Sequence, residues 1–355
     1  MPLEGQTMIR KITRPTTARC TLPMYIAFLL GEPKYGSCCR LADVMDISHD
    51  SVTRFLQREH YEGNDLYNES AQLLNLKGGT LSVDDSVLDK PYSQYLAFVG
   101  HFWSGKHHRT VKGINLITLY YTDTDGQHLP VNFRIYDKSE GKTKNDYFRD
   151  MLAEVLAWGL KPAFVTGDSW YSSADNLKWV KNYRLNWMFA LESNRTVSVE
   201  KGRWMQVQKL DIPDGGLVVW LKGFGNVKLF RTWLKDQPRH YAVYLTDEDQ
   251  LASFDRKAFT EQHDKHRHIE QYHRAIKQVC NIENFQVRSK IAIKNHLFAA
   301  LCGYVQLQKL SAMSLIDNCY SIQRNLFNGV IAQFIGTLMP AMANLNPEFQ
   351  PVVNA

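Results

Sequence analysis

The sequence predicts an α/β fold, with a helical unit before it and a β-rich segment inside it. Between residues 80 and 192, patterns typical of a strand, a hairpin, a helix, a strand, a helix and a strand follow one another. That order is typical of helices layered on a sheet. The chain has 355 residues, of which 44% are hydrophobic, so two or three units and a sizeable core are expected.

The first 65 residues are predicted to form a helical unit. Residues 24–30 predict a short apolar helix, and residues 41–58 predict a helix, a turn and a second helix with Ser48 as N-cap. The inward side chains are expected to be Leu41, Val44 and Met45 on the first helix of this pair and Val52, Phe55 and Leu56 on the second.

The outward face of the second helix has the chemistry of a recognition helix. Its polar side chains suit base edges and phosphates: they are His49, Ser51, Thr53, Arg54 and Arg58. An ordinary helical bundle is an equally good interpretation of this unit. Residues 61–79 would then join it to the next domain.

The central elements are predicted from β-rich runs, turn signals and helical spacing. A β-rich run at residues 80–87 reaches two adjacent acids, Asp84 and Asp85, after a Gly-Gly turn signal. A second short strand is predicted to end at Asp168. The other predicted elements are strands at 111–121 and 127–136 joined by a hairpin, helices at 146–160 and 174–182, and a strand at 187–192.

A β-rich segment then precedes a helix that carries a glutamate. Its predicted strands are 204–210, 216–222, 227–234 and 240–245. The segment contains Trp204, Trp220 and Trp233, each expected to be a core residue, because tryptophan dominates small β cores. Trp204 lies beside Lys201 and Arg203, which makes it the best of the three for a nucleobase contact.

Residues 266–278 predict an amphipathic helix. Apolar side chains recur at spacings of three and four, which predicts a core-facing stripe of Ile269, Tyr272, Ile276 and Val279. The opposite face carries His266, Glu270, His273, Arg274 and Lys277. An exposed helix with a paired acid is the alternative for this segment alone.

Three acids from separate elements suggest a shared site. An acid at a strand end is usually a turn or N-cap residue when seen alone. However, two such acids followed by a helical glutamate can converge on two hard divalent cations, which prefer oxygen ligands. Two cations about 4 Å apart can clamp both oxygens of a phosphoryl displacement.

At this point the residues resemble a known family. The order Asp85, Asp168, Glu270, with the sequence Ile-Glu-Gln-Tyr-His-Arg-Ala-Ile-Lys around the glutamate, resembles bacterial insertion-sequence transposases of the DDE type. The closest branch carries a Tyr-Arg-Glu-Lys signature, and Lys277 fits its lysine; His263 and His266 stand at the tyrosine and arginine positions. The family's first acid precedes a small hydroxyl residue, which favours Asp85 over Asp84. The resemblance spans residues 80 to 310.

The resemblance implies a ribonuclease-H-like core interrupted by a β-strand insertion. The expected domains are a helical DNA-binding domain (1–65), the two parts of the core (66–192 and 256–312), the insertion (193–255) and a helical tail (313–355). It also implies that Asp85, Asp168 and Glu270 are the catalytic, metal-binding acids for two Mg²⁺ ions, with Mn²⁺ as an alternative. The implied DNA contacts are Lys277, His273, Arg274, Arg54, Arg58 and, by stacking on a flipped base, Trp204.

The function expected on this basis is a DNA transposase that cleaves and joins the ends of its own element. Its partners would be double-stranded DNA, at terminal inverted repeats and at the target, and a second copy in a synaptic homodimer. Two alternatives remain open: a metal-dependent endonuclease without strand transfer, and a non-catalytic DNA-binding regulator. An intact set of three acids with its lysine argues against the regulator.

Charge and cysteine usage fit this expectation. The net charge of +6 is mild for a nucleic-acid-binding protein, but basic side chains cluster at 106–112, 134–144 and 265–277. The six cysteines lack zinc-ligand spacing and are expected to be free thiols in a reducing compartment. With no signal peptide or membrane span predicted, we expect a cytoplasmic protein that associates with the bacterial nucleoid when it binds DNA.

Overall fold

The computed structural model describes residues 19–32, 34, 36–321, 325 and 327–336. Within these residues the chain folds around one mixed sheet of eleven strands. In chain order, the strands are β1 (Thr80–Asp89), β2 (Gly100–Ser104), β3 (Arg109–Thr122), β4 (His128–Ile135), β5 (Phe164–Gly167), β6 (Asn186–Leu191), β7 (Thr196–Ser198), β8 (Trp204–Gln206), β9 (Leu217–Leu221), β10 (Gly225–Leu234) and β11 (Gln237–Tyr244).

The helices flank this sheet. They are α1 (Leu22–Gly31), α2 (Cys38–Met45), α3 (His49–Arg58), α4 (Gly63–Ala71), α5 (Lys144–Ala157), α6 (Ala174–Asn182), α7 (Glu248–Ser253), α8 (Arg256–Gln278) and α9 (Lys290–Ala312). The α/β class predicted from the sequence is therefore confirmed.

Strand β1 lies inside the sheet, third from the β2 edge. This strand pairs antiparallel with β3 and parallel with β5, and β5 pairs parallel with β6. On the far side of β6, β11 is antiparallel and leads to β10, β9, β7 and β8. The strands between β6 and α8 thus extend the central sheet and do not form a sheet of their own.

Most of the predicted elements are present, with small shifts at their ends. The helix predicted at 174–182 coincides with α6, and the predicted hairpin joins β3 to β4. The apolar stripe of α8 is buried as expected, since Ile269, Tyr272 and Ile276 are each 0% exposed. Five of these helices and strands were not predicted: β2, β7, α4, α7 and α9.

The N-terminal helices share a hydrophobic core with α9. The ring of Tyr61 stacks on that of Phe298, with centroids 4.2 Å apart. The side-chain amide of Asn295 donates hydrogen bonds to the carbonyls of Leu56 (2.7 Å) and Glu59 (2.6 Å), which caps the end of α3. These contacts attach α3 to α9 through both apolar and polar side chains.

Some details of the predicted helix-turn-helix were wrong. Val44 and Met45 are 52% and 44% exposed, because only Leu41 and Ala42, in the middle of the eight-residue α2, are buried. Ser51 is not on the outer face: it is 7% exposed, and its hydroxyl accepts a hydrogen bond from the backbone N–H of Cys20. The inward positions Leu41 and Phe55, and the N-cap Ser48, are confirmed.

The two chain ends lie partly outside the described residues. Residues 1–18 of the predicted helical unit and residues 337–355 of the predicted tail belong to those parts. Residues 327–336 are helical. Across the described part of the chain, no helix is long and apolar enough to cross a membrane.

Candidate active site

Alternate residues of β1 face α8. The Thr80 hydroxyl donates to the Gln262 side chain (2.8 Å), and the Ser82 hydroxyl bonds to Thr166, which in turn bonds to His266 (3.1 Å). Because side chains alternate along a strand, Asp84 lies on this same face. Its carboxylate is 3.4 Å from the imidazole of His273.

Glu270 lies on the face of α8 that crosses β1. His266 and His273 both contact the sheet, and Glu270 is four residues after the first and three before the second, so it belongs to the same side of the helix. Partial burial, followed by the negative charge of Asp84, raises the pKa of Glu270. The helical glutamate is therefore within electrostatic reach of β1.

Asp168 lies directly beside Asp84. Gly167 of β5 is in register with Val83 of β1, so the next residues of these parallel strands, Asp168 and Asp84, are neighbours. Burial and the charges of Asp84 and Asp85 raise the pKa of Asp168 to about 8. Burial is the larger cause, and the two neighbouring carboxylates add to it.

Asp84 remains ionised in this environment. Burial opposes its ionisation, but the hydrogen bond and charge of His273, the charge of His266 and the backbone N–H of Asp85 together lower the pKa of Asp84 below its usual value. The pKa values of these two neighbouring acids therefore shift in opposite directions: that of Asp84 is lowered and that of Asp168 is raised.

Asp85 projects from the opposite face of β1. Its carboxylate accepts hydrogen bonds from Lys144 (2.8 Å), Asn115 (2.5 Å) and Tyr171 (3.0 Å). Three protein donors therefore occupy it. These contacts favour Asp84 over Asp85, the residue predicted from the sequence, as the acid that faces Asp168 and Glu270.

The acids have the right chemistry for divalent cations, although they are not a closed metal cage. Within the described ranges, no three His, Cys, Asp or Glu side chains are arranged closely enough to hold a metal ion. Burial first, and then repulsion from Asp84, nevertheless raises the pKa of both Asp168 and Glu270. A cation among these carboxylates would relieve that repulsion, and oxygen ligands suit Mg²⁺ or Mn²⁺.

A comparison with known families decides the affiliation. The model of a family described as the transposase DDE domain matches residues 76–306, a span that contains β1, β5 and α8. The chain belongs to the transposase DDE domain family.

Solved structures of two transposases resemble this chain to different degrees. The piggyBac transposase, in its synaptic complex with hairpin DNA, is 12% identical with a TM-score of 0.51, and the match covers 97% of this chain and 80% of that one. This likeness shows the fold and fits a ribonuclease-H-like core. The Drosophila P element transposase, in its strand transfer complex, is 10% identical with a TM-score of 0.27, covering 54% of this chain and 48% of that one. Among curated proteins none matches.

Several predicted DNA contacts of this transposase-family chain have partners within the protein. The Lys277 ammonium donates to the carbonyl of Val87 (2.6 Å) and lies 3.4 Å from the Glu283 carboxylate. The acidic partner of Lys277, Glu283, lies outside the helix, in the loop after α8. His273 is only 8% exposed and faces Asp84, so it does not lie on a phosphate-binding surface.

The remaining basic candidates differ in exposure. Arg274 is exposed on α8, and the side chain of Arg54 is 62% exposed on α3. Arg58 is only 23% exposed and pairs with Glu59 at 2.8 Å. Arg274 and Arg54 are therefore better placed for DNA than Arg58.

The tryptophans of the β-rich segment are on the surface. Trp204, Trp220 and Trp233 are 48%, 51% and 64% exposed, so the prediction that each is a core residue was wrong. The cores on either side of these strands are filled by aliphatic and phenylalanine side chains such as Val219, Leu229 and Phe230. Trp204 and Trp220 border a cleft of about 490 Å³ that Lys201 also lines.

No sequence motif indicated that three side chains would donate hydrogen bonds to Asp85, or that His273 would contact Asp84. Lys144 begins α5, Asn115 lies on β3, and Tyr171 is buried in the turn after Asp168. Strand alternation at Asp84–Asp85 was the one usable signal, because it requires two different environments for the two acids.

Proposed function

We propose that this chain is the transposase of an insertion sequence, and that it cleaves and joins DNA ends at a site formed by Asp84, Asp168 and Glu270. The observation that supports this best is the register of β1 and β5, which puts Asp84 and Asp168 side by side beneath α8. Burial and the charge of Asp84 raise the pKa values of Asp168 and Glu270, and such shifts are common among carboxylates at functional sites.

Asp84 replaces Asp85 in this proposal. Asp85 is already satisfied by Lys144, Asn115 and Tyr171. If Asp85 bound a cation instead, it would have to give up these three hydrogen bonds, and Lys144 would lose its carboxylate partner. Asp85 is instead a positioning residue, which joins β1 to the start of α5 and to the turn after Asp168.

The chain's own residues prepare the site. His273 holds the Asp84 carboxylate in its ionised form, and the backbone N–H groups of Trp170 and Tyr171 donate to Asp168 at 3.0 and 3.4 Å, which fixes its orientation. Two Mg²⁺ ions, or Mn²⁺ ions, bound by the three acids would stabilise the charge on the attacking and leaving oxygens of the phosphate.

DNA would approach over the exposed basic side chains. Arg274 is next to the acids on α8, Arg54 lies on α3, and Trp204 presents an exposed ring beside Lys201. We propose these three as contacts to the element's terminal inverted repeats, with target DNA and a second protein copy completing a synaptic homodimer. The site of action would be the nucleoid of a bacterial cell.

Nicking of a supercoiled plasmid that carries the element's ends tests this proposal. Cleavage is expected with Mg²⁺ and lost with EDTA, and Glu270→Gln should abolish it. Glu261→Gln, an exposed glutamate on the same helix, is the matched control and should cleave like the parent protein. Cleavage by Glu270→Gln would refute the assigned site. A strand-transfer assay with a precleaved end tests the joining step. If the precleaved end is not joined to target DNA, the chain is an endonuclease only.

A further inference from the structure

We propose that the β2–β3 hairpin is a separate binding surface for the duplex that the acids cleave, and that it contacts phosphates about nine base pairs from the cleavage position. This inference rests on the proposed function and extends it to a part of the protein that holds none of the residues named there. It follows from the charge of the hairpin, from the face that it leaves free and from its distance to Asp84.

The hairpin is basic. Residues 100–113 include Lys106, Arg109, Lys112 and three histidines, and no aspartate or glutamate. Lys106 and His107 lie 3.7 and 2.9 Å from the carboxylate of Asp89, the last residue of β1. Asp89 thus ties the turn of the hairpin to β1 and leaves Arg109 and Lys112 for another counter-charge.

One face of the hairpin is packed and the other is free. Phe102 is 8% exposed, and its ring packs edge-on against that of Tyr136, with 5.8 Å between the centroids. Because side chains alternate along a strand, His101 and Trp103 project from the other face, and both are exposed. Lys112 is paired with His101 in the ladder and shares this free face.

The free face of the hairpin is on the same side of the sheet as Asp84. In the antiparallel ladder of β1 and β3, Asp84 is paired with Thr118, so these two side chains lie on one face. Every second residue of β3 stays on that face, and Lys112 is six residues from Thr118. DNA that reaches Asp84 therefore approaches the sheet from the side that the hairpin leaves free.

The hairpin lies beyond the end of β1. Gly113 of β3 is in register with Asp89, the last residue of β1, and with Gly100, the first residue of β2. From residue 118, opposite Asp84, to Arg109 the strand advances nine residues, which is about 30 Å at about 3.4 Å per residue. Each base pair of B-DNA also rises about 3.4 Å, so a duplex with its scissile phosphate at the acids reaches the hairpin after about nine base pairs.

A DNA backbone is the partner that fits these features. Phosphates supply the negative charge that the hairpin lacks, and they are spaced regularly along the duplex. A duplex that continues from the acids along β3 passes over the hairpin, whereas the part that leaves in the opposite direction does not. The contact therefore lies on one side of the cleavage position only.

Salt titrations of end-DNA binding test this surface. The double variant Arg109→Ala with Lys112→Ala removes two cations from the hairpin. Lys77→Ala with Lys161→Ala is the matched control, because these exposed lysines are bridged just before β1 and β5, at the opposite edge of the sheet. Affinity is measured by fluorescence anisotropy without divalent cations, in the Glu270→Gln background, so that no cleavage is needed. Duplexes are shortened from about 12 to about 6 base pairs on one or the other side of the cleavage position.

The hairpin variant should reduce the salt slope of binding to the long duplex by about two units, one for each phosphate contact, and the control should not change it. The difference should vanish when one side, and only that side, is shortened to fewer than about nine base pairs. If the double variant does not fold, Arg109→Ala alone, at the exposed turn, should reduce the slope by about one unit.

An unchanged slope on the long duplex, or a loss that persists on every short duplex, would overturn the hairpin contact. Unchanged end binding together with weaker capture of a target duplex would also overturn it, and would assign the hairpin to target DNA. Nicking by Glu270→Gln would instead refute the proposed metal site and leave this binding result standing.

Discussion

Lys277 is held by the protein itself, and this has a measurable consequence. Its ammonium is 19% exposed and contacts both the Val87 carbonyl and the Glu283 carboxylate. Lys277→Ala should therefore lower the free energy of unfolding by about 1–3 kcal/mol, because a partly buried carboxylate and a carbonyl lose a charged donor. Urea denaturation measures this change.

Arg274 is the matched comparison on the same helix. Because it is exposed, Arg274→Ala should leave the unfolding free energy within about 0.5 kcal/mol of the parent value. If it contacts a phosphate, the same change should reduce the salt slope of end-DNA binding by about one unit. A lower salt slope with unchanged stability for Lys277→Ala would show that Lys277 binds DNA and that its contact with Glu283 is unimportant.

The two adjacent acids show what the sequence could and could not decide. Alternation along a strand required Asp84 and Asp85 to face different sides, and this was predictable. The choice between them was taken from the hydroxyl residue that follows Asp85. Local sequence could not reveal that Lys144 and Tyr171, which lie 59 and 86 residues away, would both donate to Asp85.

Among the helices, α9 carries a buried histidine that makes stability depend on pH. The Nε2–H of His296 donates to the Ile282 carbonyl (3.3 Å), and its Nδ1 accepts from the Tyr25 hydroxyl of α1 (2.8 Å). Burial, with the charge of Lys90 as a smaller cause, lowers the pKa of His296 to about 3. The folded protein therefore holds this ring neutral, whereas the unfolded chain protonates it near pH 6.5.

The expected result is a loss of stability in acid. Below about pH 6.5 the unfolded chain binds a proton at His296, whereas the folded chain binds it only near pH 3. Between these values His296 lowers the free energy of unfolding by up to about 1.4 kcal/mol for each pH unit of acidification. His128 and His266, whose pKa values burial lowers to about 4, act in the same direction. His296→Asn keeps an acceptor for Tyr25 and should reduce the slope between pH 6 and 4. An identical slope in denaturation series at several pH values would contradict this account.

Elements with a strong periodic pattern were predictable, whereas the short strands β2 and β7 were not. The apolar spacing of α5 and α8 and the β-rich runs of β3 and β4 were recognised because each repeats its period several times. β7 has three residues and β2 has five, too few for a period to emerge. The exposure of Trp220 on β9 was missed because one strand's alternation does not reveal which face the core covers.

At the scale of the whole molecule, the N-terminal helices and the sheet share one hydrophobic core. A single buried cluster contains Phe55 of α3, Phe133 of β4 and Phe298 of α9. The sequence predicted a separate helical unit, because a helix-turn-helix pattern does not indicate which other elements its apolar side chains pack against. We expect α1–α4 to unfold together with the core in one cooperative transition.

Cooperativity can be measured with two probes in one titration. A dye attached to the exposed Cys39 reports on α2, and far-UV circular dichroism reports on the whole chain. Coincident urea midpoints are expected. An earlier transition at Cys39, with the remaining signal unchanged, would show that the N-terminal helices form an independent unit.

The central claim is that Asp84, not Asp85, acts with Asp168 and Glu270, and cleavage by Asp84→Asn and Asp85→Asn tests it most directly. Both variants should still bind end DNA. Asp84→Asn should lose Mg²⁺-dependent nicking by more than about 100-fold, whereas Asp85→Asn, a change in a positioning residue, should lose about 10- to 100-fold at most. Asp85→Asn should also unfold at a lower temperature, because Lys144 loses its carboxylate. Efficient nicking by Asp84→Asn together with none by a folded Asp85→Asn would contradict the account.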